Sequence, residues 1–261
     1  MELGLFRHLV GTLRKMKCLL LALTGFGNAA LEGICGSGHV SEVMVITRKE
    51  KGKYPYYECD PLEWLCSRKQ VHCHADITLK DDIGRRIISK FSPDIILVAT
   101  FDQIVPLDII SLARNMAINI HPSLLPKYKG PTPTNWAVAH GERFAGITFH
   151  GLTAKIDAGP ILWQEKERIE DLTDGEVRHV LARLCCRQVP LFLDVLSAGK
   201  VKEIQLANEC AGGYFPKIYS KKGLEILQSG RFYPSCIKRA LTPYPGVLVL
   251  ESLNGDYGLQ E

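Results

Sequence analysis

Short apolar runs alternate along the chain with segments in which apolar residues recur at helical spacing. The runs are long enough for buried strands and predict strands at 17–24, 42–47, 71–75, 94–99, 117–120, 146–150, 161–164 and 247–250. The helical spacing predicts helices at 25–35, 61–69, 81–90, 107–114, 134–140, 173–197 and 232–240. This alternation predicts an α/β fold: a Rossmann-like, mostly parallel twisted sheet with helices on both faces, followed by a short C-terminal appendage.

Local capping signals sharpen some of these helix boundaries. Thr173 is followed three residues later by Glu176, which is the spacing of a capping box, and Gly199 is placed to end the long helix. Asp60 is the expected N-cap of the helix at 61–69. We therefore expect three parts: a lead-in segment at 1–15, a main domain at 16–204, and a small extension at 205–261.

Composition narrows the functional classes. The 261 residues are 46% hydrophobic and 23% charged, which is ordinary for a globular protein. A net charge of +4 is too small to indicate a nucleic-acid-binding protein, so no nucleic-acid partner is expected. Nine cysteines at irregular spacing indicate free thiols in a reducing cytoplasm. No stretch of about 18 apolar residues is present, so no membrane span is expected.

Cys66, His72, Cys73 and His74 form the densest group of metal-ligand residue types in the sequence. They lack the paired Cys-x-x-Cys spacing that is typical of structural zinc sites. We therefore predict no metal.

A glycine-rich turn after the first strand leaves one alternative function open. Gly25, Gly27 and Ala30 form a Gly-x-Gly-x-x-Ala pattern, the minimal form of a dinucleotide-binding fingerprint. Arg48, at the end of the second strand, could meet the 2′-phosphate of NADP. The alternative interpretation is tight strand–helix packing and a solvated basic loop at 48–53. An NADP-dependent oxidoreductase therefore remains open at this point.

The strongest chemical signal lies at the end of the strand at 117–120. Asn119 and His121 are two residues apart, so on a strand they point to one face, and Pro122 should end the strand there. Asp157 follows 36 residues after His121 in a turn-prone segment. An amide that donates to an oxyanion, an imidazole and a carboxylate suit acyl transfer. Taken singly, each residue could instead cap a turn or be a buried, hydrogen-bonded group.

The wider motif is similar to one known family. The sequence reads Asn-x-His-Pro-Ser-Leu-Leu-Pro-x-Tyr-Lys-Gly over 119–130 and Gly-Ile-Thr-x-His over 146–150, followed by Asp157 with Gly159 two residues later. It resembles the 10-formyltetrahydrofolate-dependent formyltransferases, which include enzymes that act on glycinamide ribonucleotide, methionyl-tRNA and amino sugars. The resemblance extends over about 17–250.

The resemblance implies an enzyme, with the formyltransferase catalytic domain at 16–204 and N10-formyltetrahydrofolate as co-substrate. In this reading Asn119 and His121 stabilise the oxyanion. Asp157 removes the amine proton and keeps His121 protonated, and His150 has a supporting role away from the end of the Asn119 strand. The residues that the resemblance places against the folate are Gln103, Ile104, Val105, Ser123, Leu124, Leu125, Pro126, Thr153, Ala154, Lys155 and Ile156.

The acceptor is predicted to be the primary amine of a small metabolite, above all a nucleotide-linked amino sugar. Tyr214-Phe215 and the segment 239–246 resemble amino-sugar and methionyl-tRNA formyltransferases. Only 11 residues follow Leu250, so a full tRNA-binding domain is not expected. Pro131 stands where amino-sugar enzymes often have arginine. Methionyl-tRNA, peptide-antibiotic or siderophore precursors, a non-catalytic binding module and a homodimer all remain open.

Overall fold

The computed structural model describes residues 15–49, 59–204 and 213–244. The predicted lead-in segment, the basic residues after Lys49, the start of the C-terminal extension and the strand at 247–250 lie outside these residues. Within them the protein forms one seven-stranded sheet in the order β3-β2-β1-β4-β5-β6-β7. Strands β1 to β5 pair in parallel, whereas β6 pairs antiparallel with both β5 and β7. The predicted Rossmann-like, mostly parallel sheet is therefore confirmed.

All seven strands correspond to predicted apolar runs. They are β1 (Met16–Ala22), β2 (Val40–Thr47), β3 (His72–Ala75), β4 (Ile95–Ala99), β5 (Met116–His121), β6 (Phe144–Gly151) and β7 (Ile161–Arg168).

Eight helices connect or cover the strands among the described residues. They are α1 (Phe26–Gly36), α2 (Leu62–Arg68), α3 (Asp82–Phe91), α4 (Leu107–Ile110), α5 (Pro133–Ala139), α6 (Asp174–Ser197), α7 (Lys221–Ser229) and α8 (Pro234–Ala240).

Three helix details differ from the predictions. Helix α7 was not predicted, and α4 ends at Ile110 rather than Arg114. Asp60 does not cap α2. The cap position is Pro61, the Leu62 N–H donates to Thr24 Oγ1 over 3.1 Å, and the Asp60 carboxylate instead pairs with Arg68. A backbone N–H in the first turn of α2 is thus bonded by Thr24, which is distant in sequence, so the residues next to the helix do not reveal this cap.

Side chains of alternate strand residues build a separate core on each face of the sheet. On one face Leu20 and Leu97 pack with the inner sides of α1, α2, α5 and α6. On the other face Leu19 and Ile96 pack with Ile88 of α3 and neighbouring residues of α4. The sheet is therefore covered by helices on both faces, as predicted.

The long helix α6 carries the predicted capping box. Thr173 Oγ1 accepts from the Glu176 N–H, and the Glu176 carboxylate accepts from the Thr173 N–H. Gly199 follows the helix with a φ of +63°. Residues of the C-terminal segment 213–244, such as Ile218 and Leu241, are buried in the same core as α6. None of the described helices combines the length and the apolar character that a membrane crossing requires.

Candidate active site

Strand β5 carries two polar side chains at its carboxyl end. Ile118 and Ile120 point into the core beneath α1 and α6, so the period of two directs Asn119 and His121 to the opposite face. Ligands of open α/β sheets bind outside the carboxyl ends of the strands. The predicted pair therefore lies where this fold forms its binding crevice.

Asp157 joins this pair from the loop between β6 and β7. Its Oδ1 lies 3.4 Å from Asn119 Nδ2 and 3.6 Å from His121 Nδ1. Its Oδ2 accepts a hydrogen bond from the Gly130 N–H over 2.8 Å. The Asp157 side chain is only 8% exposed and its backbone adopts a φ of +49°. The structure thus brings all three predicted catalytic residues together.

His150 belongs to the same cluster, contrary to our expectation. We predicted that it lies off the end of the Asn119 strand, but antiparallel pairing of β6 places it directly opposite Asn119. Its Nε2 lies 3.0 Å from Asn119 Nδ2 and 3.6 Å from Asp157 Oδ1. This contact depends on how β5 and β6 pair, and the sequence alone does not show that pairing.

Backbone acceptors assign the proton positions on both imidazoles. His121 Nε2 lies 3.0 Å from the Tyr128 carbonyl and must carry a proton to donate to it, which leaves Nδ1 bare in the neutral ring. His150 Nδ1 lies 3.1 Å from the Gly151 carbonyl, which leaves its Nε2 to accept from Asn119. Two unprotonated ring nitrogens therefore face Asp157 Oδ1.

Burial determines the charge of His121. Desolvation lowers the pKa of His121 and outweighs the opposing effects of the Asp157 carboxylate and the Tyr128 carbonyl. The Asp157 carboxylate therefore acts on the pKa of His121 in the direction we expected, but burial outweighs it and the ring is neutral near pH 7. The neutral ring has a free Nδ1 that is ready to receive a proton.

Asp157 keeps its charge in spite of partial burial. Desolvation raises its pKa, but contact with His150, the electrostatic interaction with His121 and the Gly130 N–H together outweigh it, so the pKa is lowered overall. The site at neutral pH therefore contains a charged Asp157 carboxylate beside the neutral imidazole of His121.

The loop after β5 is fixed by hydrogen bonds of the residues expected to contact folate. Ser123 Oγ donates to the Lys127 carbonyl, and the Leu125 N–H donates to Thr148 Oγ1. Ser123 and Leu125 are buried, whereas Leu124 and Pro126 are half-buried. The partly exposed members of this group are the ones that can contact a ligand directly.

The other two predicted folate segments lie on loops at the carboxyl ends of strands. The oxygen and nitrogen of the Gln103 side-chain amide bind backbone groups of residues 77–79, so this residue ties its loop to that segment. Ile104 is 70% exposed and Val105 is half-buried. The segment 153–156, which leads to Asp157, is exposed throughout.

The dinucleotide pattern has a packing explanation. A Cβ on Gly27 would lie 2.6 Å from the Cβ of Ala22, so the glycine allows α1 to approach β1. Arg48 forms an ion pair with Asp102, with Nε 3.0 Å from Oδ2. Neither feature supports the NADP-dependent oxidoreductase. Within the parts of the chain that the structure describes, no group of three or more histidine, cysteine or acidic side chains is placed to hold a metal.

Fold and site together define a group-transferring enzyme, with an amide donor, a neutral imidazole and a carboxylate at the carboxyl edge of a Rossmann-like sheet. The formyl transferase family model matches residues 24–187. The chain belongs to the formyl transferase family, and it is a formyltetrahydrofolate-dependent N-formyltransferase, as predicted.

Individual relatives agree with this assignment. A methionyl-tRNA formyltransferase of Herpetosiphon aurantiacus is 29% identical over 237 residues, which cover 90% of this chain and 77% of that protein. A methionyl-tRNA formyltransferase of Clostridium tetani is 31% identical, but the match covers only 64% of this chain and 54% of that protein. The chain therefore spans about half to three quarters of these curated relatives.

Among solved structures, the fold is shared with an N-formyltransferase of Helicobacter canadensis, solved with folinic acid and dTDP-3-aminofucose. The two are 19% identical with a TM-score of 0.65, and the match covers 86% of this chain and 80% of the other.

Proposed function

We propose that the protein transfers the formyl group of N10-formyltetrahydrofolate to the primary amine of a small metabolite, above all a nucleotide-linked amino sugar. The observation that carries the chemistry is the convergence of Asn119, His121 and Asp157 around one carboxylate oxygen. Family membership supplies the formyl donor, and the residue roles and the acceptor are our proposal.

Asn119 is the proposed oxyanion donor. When the amine nitrogen attacks the formyl carbon, the C=O π electrons move to the formyl oxygen. One Asn119 N–H is engaged by His150 Nε2 at 3.0 Å, whereas its contact to Asp157 is long, at 3.4 Å. The second N–H is therefore available for the new oxyanion at little cost.

His121 and Asp157 are the proposed proton acceptors. Transfer moves one proton from the attacking amine to N10 of the folate, as the C–N10 bond breaks and the formamide forms. The bare Nδ1 of His121 faces Asp157 Oδ1, so a proton taken up between them would be stabilised by the carboxylate. The same pair can then return that proton to N10.

The folate would occupy the crevice between the loop that contains Ile104 and Val105 and the segment 153–156. Leu124 and Pro126 would contact the folate from the loop that follows β5. We keep Gln103, Ser123 and Leu125 in the proposed set as residues that shape these loops through hydrogen bonds with the backbone or with Thr148.

Two features beside the site support an anionic, ring-containing acceptor. Lys129 precedes Gly130, which holds Asp157, and Tyr214 forms a bridge with Lys129 while remaining 59% exposed. A cation suits a phosphate and an exposed phenol ring suits a planar base or a sugar. A relative solved with dTDP-3-aminofucose agrees with this chemistry. Methionyl-tRNA is the second candidate, because the curated relatives bear that name.

An acceptor panel tests the proposal. The purified full chain is incubated with N10-formyltetrahydrofolate and, separately, a dTDP-amino sugar, a UDP-amino sugar, an unlinked amino sugar and methionyl-tRNA. Formylated product is identified by mass spectrometry and tetrahydrofolate release by absorbance. We expect formylation of a nucleotide-linked amine and little of the unlinked sugar. Formylation of methionyl-tRNA alone would replace the proposed acceptor with the second candidate.

A further inference from the structure

Gly130 links Asp157 to a distant part of the chain. Its N–H donates to Asp157 Oδ2 over 2.8 Å, in a conformation with a φ of +116°. A Cβ at this position would lie 2.2 Å from the carbonyl oxygen of Phe215. Both the backbone angle and this close approach exclude an ordinary side chain. The loop that holds Asp157 is therefore seated directly against the C-terminal segment.

Backbone and side-chain hydrogen bonds fasten that segment, residues 213–218, onto the loop. The Phe215 N–H donates to the Lys129 carbonyl over 2.8 Å, next to the bridge between Lys129 and Tyr214. Trp136 Nε1 donates to the Pro216 carbonyl over 2.8 Å. A further contact comes from Thr132, whose buried Oγ1 accepts from the Ile218 N–H over 3.0 Å.

We propose that Gly130 is a positioning residue for Asp157, and that segment 213–218 acts through it to hold the carboxylate between Asn119 and His121. The inference rests on the proposed role of Asp157. On this inference, segment 213–218 of the predicted C-terminal extension affects catalysis indirectly. It contacts the loop that contains Gly130, and Gly130 contacts Asp157.

The contact has an orienting and an electrostatic effect. A hydrogen bond to Oδ2 turns Oδ1 toward the two imidazoles and favours the charged carboxylate. The other titratable groups that face Asp157 are His121 of β5 and His150 of β6. Because a misplacement of about 1 Å in a catalytic group can reduce turnover on the order of 10²-fold, a shifted loop should affect kcat.

Gly130→Ala is the direct test, measured with N10-formyltetrahydrofolate and the acceptor found in the panel. We expect kcat to fall on the order of 10- to 100-fold with little change in the KM for folate. The pKa of Asp157, measured by NMR titration of its carboxyl carbon, should rise, because the lost N–H contact no longer favours the charged form. Gly141→Ala is the matched control: Gly141 also has a positive φ of +65°, but its nearest contact would be Cys236 Sγ at 3.5 Å. It should retain kcat and the pKa of Asp157.

A second pair of variants acts from the C-terminal side. Thr132→Val keeps the shape of the side chain but removes the hydroxyl group that accepts from Ile218. Thr132→Ser restores it. We expect Thr132→Val to lower kcat and to raise the pKa of Asp157, as Gly130→Ala does, and Thr132→Ser to recover both. This pair decides the question if Gly130→Ala does not fold.

The outcomes separate this inference from the proposed function. If Asp157→Asn is inactive but folded Gly130→Ala and Thr132→Val keep the wild-type kcat and the wild-type pKa of Asp157, segment 213–218 does not position Asp157 and the inference fails alone. If those variants lose only thermal stability, the contacts are structural and the inference also fails. If Asp157→Asn itself is fully active, the proposed role of Asp157 fails and the inference fails with it.

Discussion

Four side chains form one cluster around the Asp157 carboxylate. Asp157 Oδ1 has a bare imidazole nitrogen on two sides, His121 Nδ1 and His150 Nε2, each 3.6 Å away. Asn119 contacts both Asp157 and His150. In the proposed mechanism the site accepts a proton from the attacking amine, because the His121 nitrogen that faces the carboxylate carries none. This protonation pattern follows from the backbone carbonyls that bind the opposite ring nitrogens.

Removal of the proposed oxyanion donor should lower kcat more than it weakens substrate binding. Asn119→Ala should lower kcat on the order of 10²- to 10³-fold, because a lost oxyanion donor costs that much. Steady-state kinetics of formyl transfer provide the measurement. Asn115→Ala is the control, since Asn115 is an exposed asparagine just before the same strand. Equal kcat in the two variants would remove Asn119 from the mechanism.

The pH dependence follows from two lowered pKa values. Both Asp157 and His121 must be unprotonated to accept the amine proton, and the pKa of each is lowered in the folded protein. Activity should therefore be lost as pH falls below the ordinary histidine pKa of 6.5. A pH profile of kcat/KM checks this, and an acid limb centred above that value would contradict the assignment.

The residue-level predictions succeeded where the chemistry depends on local spacing. Asn119 and His121 share a face because strands repeat every two residues, which the sequence shows directly. His150 was misjudged because its contact depends on the antiparallel register with β5. The importance of Gly130 was also missed, because its conformation is set by Phe215, which lies 85 residues further along the chain.

At the scale of elements, close packing of helix on strand explains the glycine-rich turn. Helix α1 starts immediately after β1 and reaches α6 on its outer side, where a Cβ on Gly33 would lie 2.8 Å from the Val189 Cβ. Gly27 meets β1 on the inner side at 2.6 Å. These glycines let α1 fit between the sheet and α6, and a bound dinucleotide is not needed to account for them.

Gly27→Ala should destabilise the protein by about 1–3 kcal/mol, as overpacking of a well-filled core does. Gly36→Ala, at the end of the same helix, should be neutral or slightly stabilising, because nothing lies within 4 Å of the added Cβ. Urea unfolding of both variants provides the comparison. A loss of stability as large in Gly36→Ala as in Gly27→Ala would show that packing is not the cause.

Most elements were predictable because their signals are local. The buried strands are continuous apolar runs, and α6 has both a capping box and a terminal glycine. Helix α7 was missed because it is short, with nine residues, and only Gly223 and Leu227 of them are buried. The position of β6, antiparallel between β5 and β7, depends on tertiary pairing that the strand pattern does not encode.

At the scale of the whole molecule, a buried polar network ties the C-terminal segment to the main core. Asp174 is fully buried and accepts from Arg178 Nε over 2.6 Å, and Arg178 also donates to Asn135. Asn135 in turn donates to the Ala240 carbonyl over 2.6 Å. Helices α5, α6 and α8 therefore depend on one set of hydrogen bonds, and we expect them to unfold together.

Arg178→Met should destabilise the protein by about 3–5 kcal/mol, because it leaves a buried carboxylate without its cation. Burial already raises the pKa of Asp174, and loss of Arg178 raises it further. Because the folded state then favours the neutral acid, the destabilisation should be larger at pH 7 than at pH values below the ordinary aspartate pKa. Urea unfolding at both pH values checks this. Arg187→Met, in the exposed pair with Glu167, is the control and should cost at most about 1 kcal/mol.

The most direct test of the account is formyl transfer by Asp157→Asn, compared with the wild-type protein on the same acceptor under single-turnover conditions. The account predicts that the rate falls on the order of 10²- to 10⁴-fold, since the carboxylate that stabilises the transferred proton is lost, while a folate analogue still binds. A rate close to that of the wild type, in a variant shown to be folded, would contradict the claim that this carboxylate and the His121 imidazole manage the proton of the reaction.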